Sequence, residues 1–299
     1  MAFSARVLLD SRSPSGARLT TLEARYPRFI HSELMTHRVF SRNAASSRAI
    51  PIKKMIAAVR EEPALPVHWG RNQTGMSARE AVAPEVELLA QAEWRAALAD
   101  ALRHAERLAE KDIDLHKQLV NRLLEPFAWI TVIITATEWT NFFTQRVHPD
   151  AQPEIKRIAE LMLAAYRASV PAPVEPGHWH LPLIGDDERG LPEELLCKLS
   201  VARCARVSYL THDGKRDRER DLELYERLLD GGANGHWSPF EHVATPLPDP
   251  SARSANFVGW EQYRKRFPQE NATSFPDLDS PNGESLAVLA TLRSAQRSG

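Results

Sequence analysis

The sequence has little cysteine, no long apolar run and almost no net charge. Two cysteines among 299 residues, Cys197 and Cys204, are too few for a disulfide framework or a four-cysteine zinc site. No stretch approaches the roughly 18 apolar residues of a membrane-spanning helix, and the N-terminus lacks the apolar core of a signal peptide. The 38 Lys and Arg residues nearly balance the 39 Asp and Glu residues, which argues against broad binding of nucleic acid or membranes. We therefore expect an intracellular globular protein in the reducing cytoplasm, without a membrane or nucleic-acid partner.

Familiar cofactor and catalytic signatures are also missing. The sequence contains no G-x-G-x-x-G loop, no Walker loop, no G-x-S-x-G elbow and no H-E-x-x-H motif. His178 and His180 stand two residues apart, but no third ligand is obvious near them, so we predict structural histidines and no metal site. Cys197 and Cys204 lie seven residues apart on a predicted helix, and we expect buried apolar side chains there in preference to nucleophiles.

Hydrophobic periodicity divides the chain into helices and connecting segments. Apolar residues at helical spacing predict helices after Pro27, over 84–123, over 153–168, from about Glu193 and over 220–229. Polar composition predicts a loop at 11–16 and a turn segment at 41–47, whereas 127–137 is ambiguous between helix and strand and 243–247 is predicted as a strand. Five prolines make 169–196 a connector, and the polar chain after Pro268 is predicted to be loosely attached.

Three short segments concentrate polar side chains that suit an anionic, aromatic ligand. Residues 36–48 combine a histidine and three arginines with serines and an asparagine, a mixture that donates well to an oxyanion. From composition alone, a solvated surface loop is the simpler interpretation of this segment. Residues 141–155 and 235–242 place arginine, asparagine, glutamine or histidine beside aromatic rings. Together the three segments favour a ligand that carries both phosphate and an aromatic ring.

Four sets of residues match a known group of motifs. They are His37-Arg38 with Ser46 after seven intervening residues, Ala205-Arg206-Val207-Ser208, Gly235-His236-x-Ser238-Pro239-Phe240-Glu241-His242, and Asn141-Phe142-x3-Arg146-x4-Ala151-Gln152-x-Glu154-Ile155. In this they resemble the R-H-R-x7-S, A-R-V-S, G-H-x-[ST]-P-F-E-H and N-F-x3-R…A-Q-x-E-I segments of the flavin-dependent thymidylate synthases. The matches extend from residue 37 to residue 242 and so cover most of the chain.

The order and some positions depart from the family pattern. In the family the A-R-V-S and P-F-E-H segments precede R-H-R, whereas here they follow the A-Q-x-E-I segment, so the resemblance implies a circular permutation joined by 169–196. Thr36 replaces the first arginine of R-H-R, Ala44 stands where glutamate is usual, and Thr137 lies near a position where arginine is common. Arg42 is a candidate to restore the missing positive charge.

The resemblance also implies an architecture and a set of site residues. It implies an α+β fold, a β-sheet flanked by long helices, in a single domain over 1–268 with a polar tail over 269–299, assembled as a homotetramer with sites between chains. By resemblance, FAD is held by His37, Arg38, Asn141 and Ser238. The nucleotide is then bound by Glu33, Ser46, Ser47, Arg48, Arg122 and Arg146, and Arg146 is the catalytic residue that favours ionised uracil.

The reaction that the resemblance implies is reductive methylation of dUMP to dTMP. Methylenetetrahydrofolate is the carbon donor and NADPH reduces FAD, so no cysteine nucleophile is required. The altered positions leave two alternatives open: a carbon-5 methylase or hydroxymethylase acting on UMP or dCMP, and a flavin- or nucleotide-binding homologue without turnover. A nucleic-acid-binding module is disfavoured by the neutral charge.

Overall fold

A five-stranded sheet lies at the centre of the computed structural model, which describes residues 3–207, 216–230 and 235–271. Its strands are β1 (Ser4–Arg12), β2 (Arg18–Pro27), β3 (Ser41–Ala44), β4 (Trp129–Ala136) and β5 (Ala172–Pro173). Their order in the sheet is β3-β4-β2-β1-β5, and every neighbouring pair is antiparallel except β1 and β5. Strand β3 is therefore an edge strand, paired only with β4.

Helices and short strands surround this sheet. The helices are α1 (His31–Met35), α2 (Ile52–Glu61), α3 (Pro84–Leu108), α4 (Lys117–Val120), α5 (Thr140–Arg146), α6 (Pro153–Ala168), α7 (Glu193–Arg206) and α8 (Arg218–Leu229). The remaining strands are β6 (Ala244–Pro246), β7 (Arg253–Ser254), β8 (Phe257–Val258) and β9 (Trp260–Gln262), where β6 pairs with β9 and β7 with β8. The expected α+β fold, a sheet flanked by long helices, is confirmed.

Two expectations about local structure were wrong and one ambiguity is resolved. Residues 41–44 of the predicted turn segment form β3, because pairing with β4 overrides the turn preference of serine and asparagine. Most of 113–123 is not α-helical, since only α4 forms there before a 3-10 helix over Asn121–Phe127. The ambiguous segment 127–137 contains β4, which pairs with β2 and β3. Most of its side chains are buried, so apolar residues occur on both faces of the strand. In the predicted loop 11–16, Ser11 still pairs within the β1–β2 hairpin.

Separate apolar clusters hold the helices in place. Helix α6 and the aromatic residues of α5 pack with β2 and β4, and α2 and α3 pack with the segment that precedes β4. Helices α7 and α8 share a third cluster with the turn at Ser238–His242. Cys197 and Cys204 are free and buried in α7, and burial raises the pKa of Cys197 to about 12 and that of Cys204 further. Both behave as apolar core side chains, as predicted.

A chain of buried hydrogen bonds crosses the sheet and joins it to the C-terminal part of the protein. It runs through Ser11, His180, Thr21, Thr135, His242 and Asn43, with successive distances of 2.7, 2.8, 2.7, 2.7 and 3.3 Å. The Asn43 amide oxygen can only accept, so His242 donates from Nε2 and accepts at Nδ1 from Thr135. Applied step by step, the same requirement puts the His180 proton on Nε2 and makes Ser11 a donor. Both imidazoles are therefore neutral in the folded protein.

The two buried neutral histidines predict that the folded protein becomes less stable in mild acid. Burial lowers the pKa of His180 and of His242 from 6.5 to about 3, so below pH 6.5 the unfolded state binds more protons than the folded state. We expect unfolding free energy to fall between pH 7.5 and 5.0 by about 2 kcal/mol for each of the two histidines. Urea unfolding at both pH values measures it. A variant lacking the exposed His148 should keep the full pH dependence, and equal stability at both pH values would contradict the prediction.

His178 and His180 lie in different surroundings. His178 is exposed and its Nδ1 lies 2.7 Å from Glu193 Oε1, while His180 is used in the buried chain. Within the described ranges, no cluster of three or more His, Cys, Asp or Glu side chains is arranged to hold a metal ion. Across the same ranges, we find no helix with the length and apolar character needed to cross a membrane.

Candidate functional site

The segments on either side of edge strand β3 carry exposed arginines. Arg38 precedes β3 and Arg48 follows it, and a strand of four residues is about 13 Å long. Both side chains are exposed, and neither makes an ion pair or hydrogen bond to any residue in the described part of the chain. Most exposed arginines in the described part of the chain have a carboxylate partner, as Arg60, Arg103 and Arg253 do. Two unpaired guanidinium groups beside one strand therefore favour binding of an anionic ligand.

Arg146 and His37 come into direct contact although they are 109 residues apart in the chain. The Arg146 Nε donates to His37 Nε2 over 2.8 Å, so the neutral imidazole must carry its proton on Nδ1. Burial, and secondarily the charges of Arg146 and Arg42, lower the pKa of His37 from 6.5 to about 4. His37 also packs edge-to-face on Phe142, with 4.9 Å between ring centroids. Packing and hydrogen bonding thus fix the imidazole in one tautomer and one orientation.

A second set of bonds orients the Arg146 guanidinium. Its Nη2 donates to Thr36 Oγ1 over 3.0 Å and, more weakly, to the Glu33 carbonyl over 3.4 Å. Thr36 in turn donates to the same Glu33 carbonyl over 2.7 Å. Since Nε and Nη2 are both bonded, Nη1 is the one nitrogen of Arg146 that no described residue engages. Arg146 is held from one side and presents Nη1 on the other.

Arg42 has a structural role that the sequence did not indicate. Its Nη1 donates to the carbonyls of Leu34, Met35 and His37, which lie at the C-terminal end of α1, at 3.4, 3.1 and 3.3 Å. Burial lowers the pKa of Arg42, and the nearby Glu241 carboxylate partly offsets that effect. A cation is favourable at the C-terminal end of a helix. Arg42 therefore fixes the turn that carries His37 and Arg38, and its charge also acts on His37. Its part in replacing the charge missing at Thr36 stays a hypothesis.

Two of the predicted nucleotide-binding residues, Ser47 and Arg122, meet at a carboxylate of the protein itself. Glu125 accepts from Ser47 Oγ at 2.5 Å and from Arg122 Nη1 at 2.9 Å, and it pairs with Arg28 Nη2 at 3.0 Å. Asn121 Nδ2 donates to the carbonyls of Ser47 and Ile50 at 2.7 and 2.9 Å. Hydrogen bonds to Glu125 and Asn121 thus fix the segment after β3.

The turn at Ser238–His242 packs on β3, which brings the third polar segment to the same strand. His242 bonds Asn43 on β3, and the adjacent Glu241 bonds Arg264 Nη1 at 2.5 Å. Glu241 also acts electrostatically on Arg42, so its carboxylate lies near the turn that precedes β3. Ser238 begins this turn and is half-buried. His242, the last residue of the turn, is bonded to Asn43, and Ser238 is the first residue of the turn.

The predicted site residues fall into three groups by their contacts. Glu33, His37 and Arg146 are in direct contact, and Ser47 and Arg122 are joined through Glu125. The remaining side chains make no hydrogen bond or ion pair with another predicted site residue within the described ranges: Arg38, Ser46, Arg48, Asn141 and Ser238. Asn141 lies on α5 with Arg146 and accepts from Gln145 at 3.2 Å. Ser208 of the A-R-V-S segment lies outside the described residues.

Sequence reasoning missed the residues that organise these groups. Glu125 had one local signal, its position three residues after Arg122, which allows an ion pair on one helical face. Arg28 and Asn121 carried no such signal, because their partners lie 17 to 97 residues away. Their roles depend on how the sheet and the 3-10 helix before β4 come together.

Fold and site together define a mixed α/β protein that carries exposed arginines on both flanks of the edge strand of its sheet. The model of one protein family, Thy1, described as thymidylate synthase complementing protein, matches residues 12–172, which is just over half of the chain. The chain belongs to this family. The match covers β3 and Arg146 and ends at Ala172, so the A-R-V-S and P-F-E-H segments lie beyond it and the permutation stays a prediction.

Several solved structures also match part of this chain. A UMP/dUMP methylase, PolB from Streptomyces cacaoi bound with 5-Br UMP, is 16% identical, covers 55% of this chain and 88% of its own, and has a TM-score of 0.46. A flavin-dependent thymidylate synthase, ThyX from Helicobacter pylori complexed with FAD and dUMP, is 17% identical. The match covers 50% of this chain and 67% of the ThyX chain, with a TM-score of 0.33. No curated protein sequence matches this chain.

Proposed function

We propose that this protein converts dUMP to dTMP by reductive methylation, with methylenetetrahydrofolate as carbon donor, FAD as cofactor and NADPH as reductant. Membership of the Thy1 family supports a role in thymidylate synthesis. The observation that carries the proposal is the Arg146 guanidinium, which is anchored through Nε and Nη2 and leaves Nη1 for a ligand. Arg38 and Arg48 supply further charge for phosphate groups on both sides of β3.

The residues around β3 fit a flavin dinucleotide. Its pyrophosphate needs cationic or N–H donors, and Arg38 and the Nδ1–H of His37 are of that kind. We propose that these two residues, with Asn141 and Ser238, hold FAD. When bound, the flavin supplies the reducing equivalents of the reaction. The protein contributes binding, orientation and charge, which is consistent with cysteines that are buried and held as thiols.

Arg146 is proposed as the catalytic residue. A guanidinium stays charged at any working pH, so Nη1 beside the pyrimidine stabilises negative charge on nitrogen 3 and the ring oxygens. That charge raises electron density at carbon 5, the atom that must form the new carbon–carbon bond. Stabilisation of developing charge by a group already in position is often the largest catalytic effect. Glu33, Ser46, Ser47, Arg48 and Arg122 are proposed to bind the nucleotide with it.

We further propose a permuted single domain, a homotetramer and a cytoplasmic location. The bond between His242 and Asn43 supports the permutation, because it returns the P-F-E-H segment to the strand that follows His37 and Arg38. The connector 169–196 contains only β5 and a 3-10 turn at Asp186–Glu188 before α7 begins, as a linker requires. Free, buried cysteines support a reducing compartment.

One set of assays tests the proposed reaction. Purified protein should be yellow, and it should convert dUMP to a product of dTMP mass when supplied with NADPH and methylenetetrahydrofolate. Parallel reactions with UMP and dCMP identify the preferred pyrimidine, and product mass distinguishes a methyl from a hydroxymethyl group. Flavin and nucleotide binding without product from any of the three would reject the enzyme in favour of a binding protein.

Glu125 gives a separate prediction about nucleotide binding. Its carboxylate already accepts from Ser47 and Arg122, so it competes with a phosphate for the same donors. We expect Glu125→Gln to bind dUMP about fivefold more tightly, because one repelling charge is removed from the pocket. Calorimetric titration measures the affinity. Glu106→Gln, which removes a carboxylate paired with Arg60 on α2, is the matched control and should not change it. Weaker dUMP binding by Glu125→Gln would show that Glu125 only supports the loop.

A further inference from the structure

His31 is held by a buried tyrosine through one of its ring nitrogens. Tyr26 on β2 is fully buried, and its hydroxyl oxygen lies 2.8 Å from His31 Nδ1. The two rings are stacked, with 6.1 Å between their centroids and an angle of 26° between their planes. His31 itself is half-buried in α1. The stacking and the hydrogen bond therefore fix an imidazole that still reaches the surface.

The bond to Tyr26 decides which nitrogen of His31 carries the proton. Burial raises the pKa of Tyr26, so the phenol keeps its proton, and no described residue other than His31 accepts it. Tyr26 therefore donates to Nδ1. Burial, and then the charges of Arg28 and Arg42, lower the pKa of His31 from 6.5 to about 4, so the ring is neutral at pH 7. Its one proton is on Nε2, where no described residue accepts it.

Tyr26 and Arg42 project from the same face of the central sheet. Tyr26 lies opposite Ile130 on β4, and Arg42 on β3 lies opposite Ile134. Residues directly opposite each other share a face, and so do residues four apart on one strand. His31 lies over this face, because it is bonded to Tyr26 and the charge of Arg42 acts on its ring.

His31 is close to both groups of predicted site residues, which make no bond to each other. Arg28 donates to a carbonyl of the segment after β3 at 3.0 Å and pairs with Glu125 at 3.0 Å, in the nucleotide-binding group. Arg42 donates to carbonyls of the turn that carries His37, in the other group. Both guanidinium groups act on the His31 ring more strongly than the Glu125 carboxylate does. The free Nε2–H therefore lies in positively charged surroundings between the two groups.

We propose that His31 is a nucleotide-binding residue, which donates its Nε2–H to a phosphate oxygen of the pyrimidine nucleotide while Arg42 supplies positive charge beside it. An N–H donor in cationic surroundings suits an oxyanion. Described residues engage only Nη1 of Arg42, so its Nε and Nη2 are left for the same ligand. The inference rests on the proposed function, and none of the four motif segments contains His31.

Removing the phosphate from the ligand tests this contact. Calorimetric titration compares dUMP with deoxyuridine, which has no phosphate, on wild type and on His31→Phe. The phenylalanine keeps a ring beside Tyr26 but has no donor. We expect His31→Phe to weaken dUMP binding about tenfold and deoxyuridine binding by less than about twofold, because the bond to a charged acceptor is lost from the first complex only. His104→Phe, at an exposed position on α3, is the control and should match wild type with both ligands.

Nitrogen NMR of the histidine rings gives a second measurement, on the wild-type protein. The His31 ring should show the Nε2–H tautomer, and its Nε2 signal should move when dUMP is added and stay in place with deoxyuridine. Equal weakening of both ligands by His31→Phe would assign His31 a structural role and overturn the inference. Unchanged dUMP binding by the variant, or an equal response of the Nε2 signal to both ligands, would overturn it while the proposed function stands. A wild-type protein that binds no pyrimidine nucleotide would reject both.

Discussion

Replacing Arg146 with alanine should reduce turnover by a factor of about a hundred to a thousand while FAD remains bound. We expect this loss because Nη1 is the nitrogen of Arg146 that no described residue engages, and we propose that it faces the pyrimidine. Flavin should remain because Arg38, Asn141 and Ser238 are unchanged. Single-turnover assays with dUMP, together with the flavin absorbance of the purified protein, measure both effects.

His37 gives an independent measurement on the same variant. The Arg146 charge is the second cause of the low pKa of His37, after burial, so its removal should move that pKa upward from about 4. NMR titration of the ring detects the shift. Arg146→Lys should recover little activity, since a lysine lacks the planar set of donors that bonds His37, Thr36 and a ligand together. Arg227→Ala, at an exposed position on α8, is the control, and unchanged turnover in Arg146→Ala would remove Arg146 from the mechanism.

Helices were largely open to prediction from the sequence because their signal is local. Proline at the first position and an apolar stripe define α3 and α6, whose bounds begin at Pro84 and Pro153. Strand β3 was missed because its four residues are polar and its stability comes from β4, which lies about 90 residues later in the chain. A strand whose partner determines it leaves little trace in its own composition.

The candidate site was predicted in part, and by a different route. The types of residue in 36–48 suggested anion binding, but the contact between His37 and Arg146 joins residues on α5 and the turn after α1, which spacing cannot show. Only motif resemblance placed them together. At the departure Thr36, the hydroxyl accepts from Arg146 Nη2 over 3.0 Å, so this side chain helps to hold Arg146. No comparable account is found for Ala44, which lies on β3 opposite Val132.

The largest expected loss of stability comes from Arg203, at the centre of a buried ionic network. Its Nη1 and Nη2 donate to the two oxygens of Glu188 at 2.6 and 2.8 Å, and its Nε donates to Asp221 at 2.8 Å. Arg206, the arginine of the A-R-V-S segment, donates to the other Asp221 oxygen at 2.6 Å. The network fixes α7 to α8 and to the turn that precedes α7. Arg203 lowers the pKa of Glu188 to about 2, so the Glu188 carboxylate remains charged in the interior.

Arg203→Met should lower the free energy of unfolding by about 3–5 kcal/mol, because it leaves two buried carboxylates without their common partner. The cost arises mainly at the buried Glu188, whose remaining ion pairs are the longer contacts with Arg216 and Arg218 at 3.3 and 3.4 Å, whereas Asp221 keeps its bond from Arg206. Adding Glu188→Gln should therefore recover part of the stability, since the amide has no charge to bury. Urea unfolding at pH 7.5 compares the variants. Arg60→Met, which breaks the exposed pair with Glu106, should cost at most about 1 kcal/mol. If the double variant had a lower free energy of unfolding than Arg203→Met, the charge of the Glu188 carboxylate would not be the source of the lost stability.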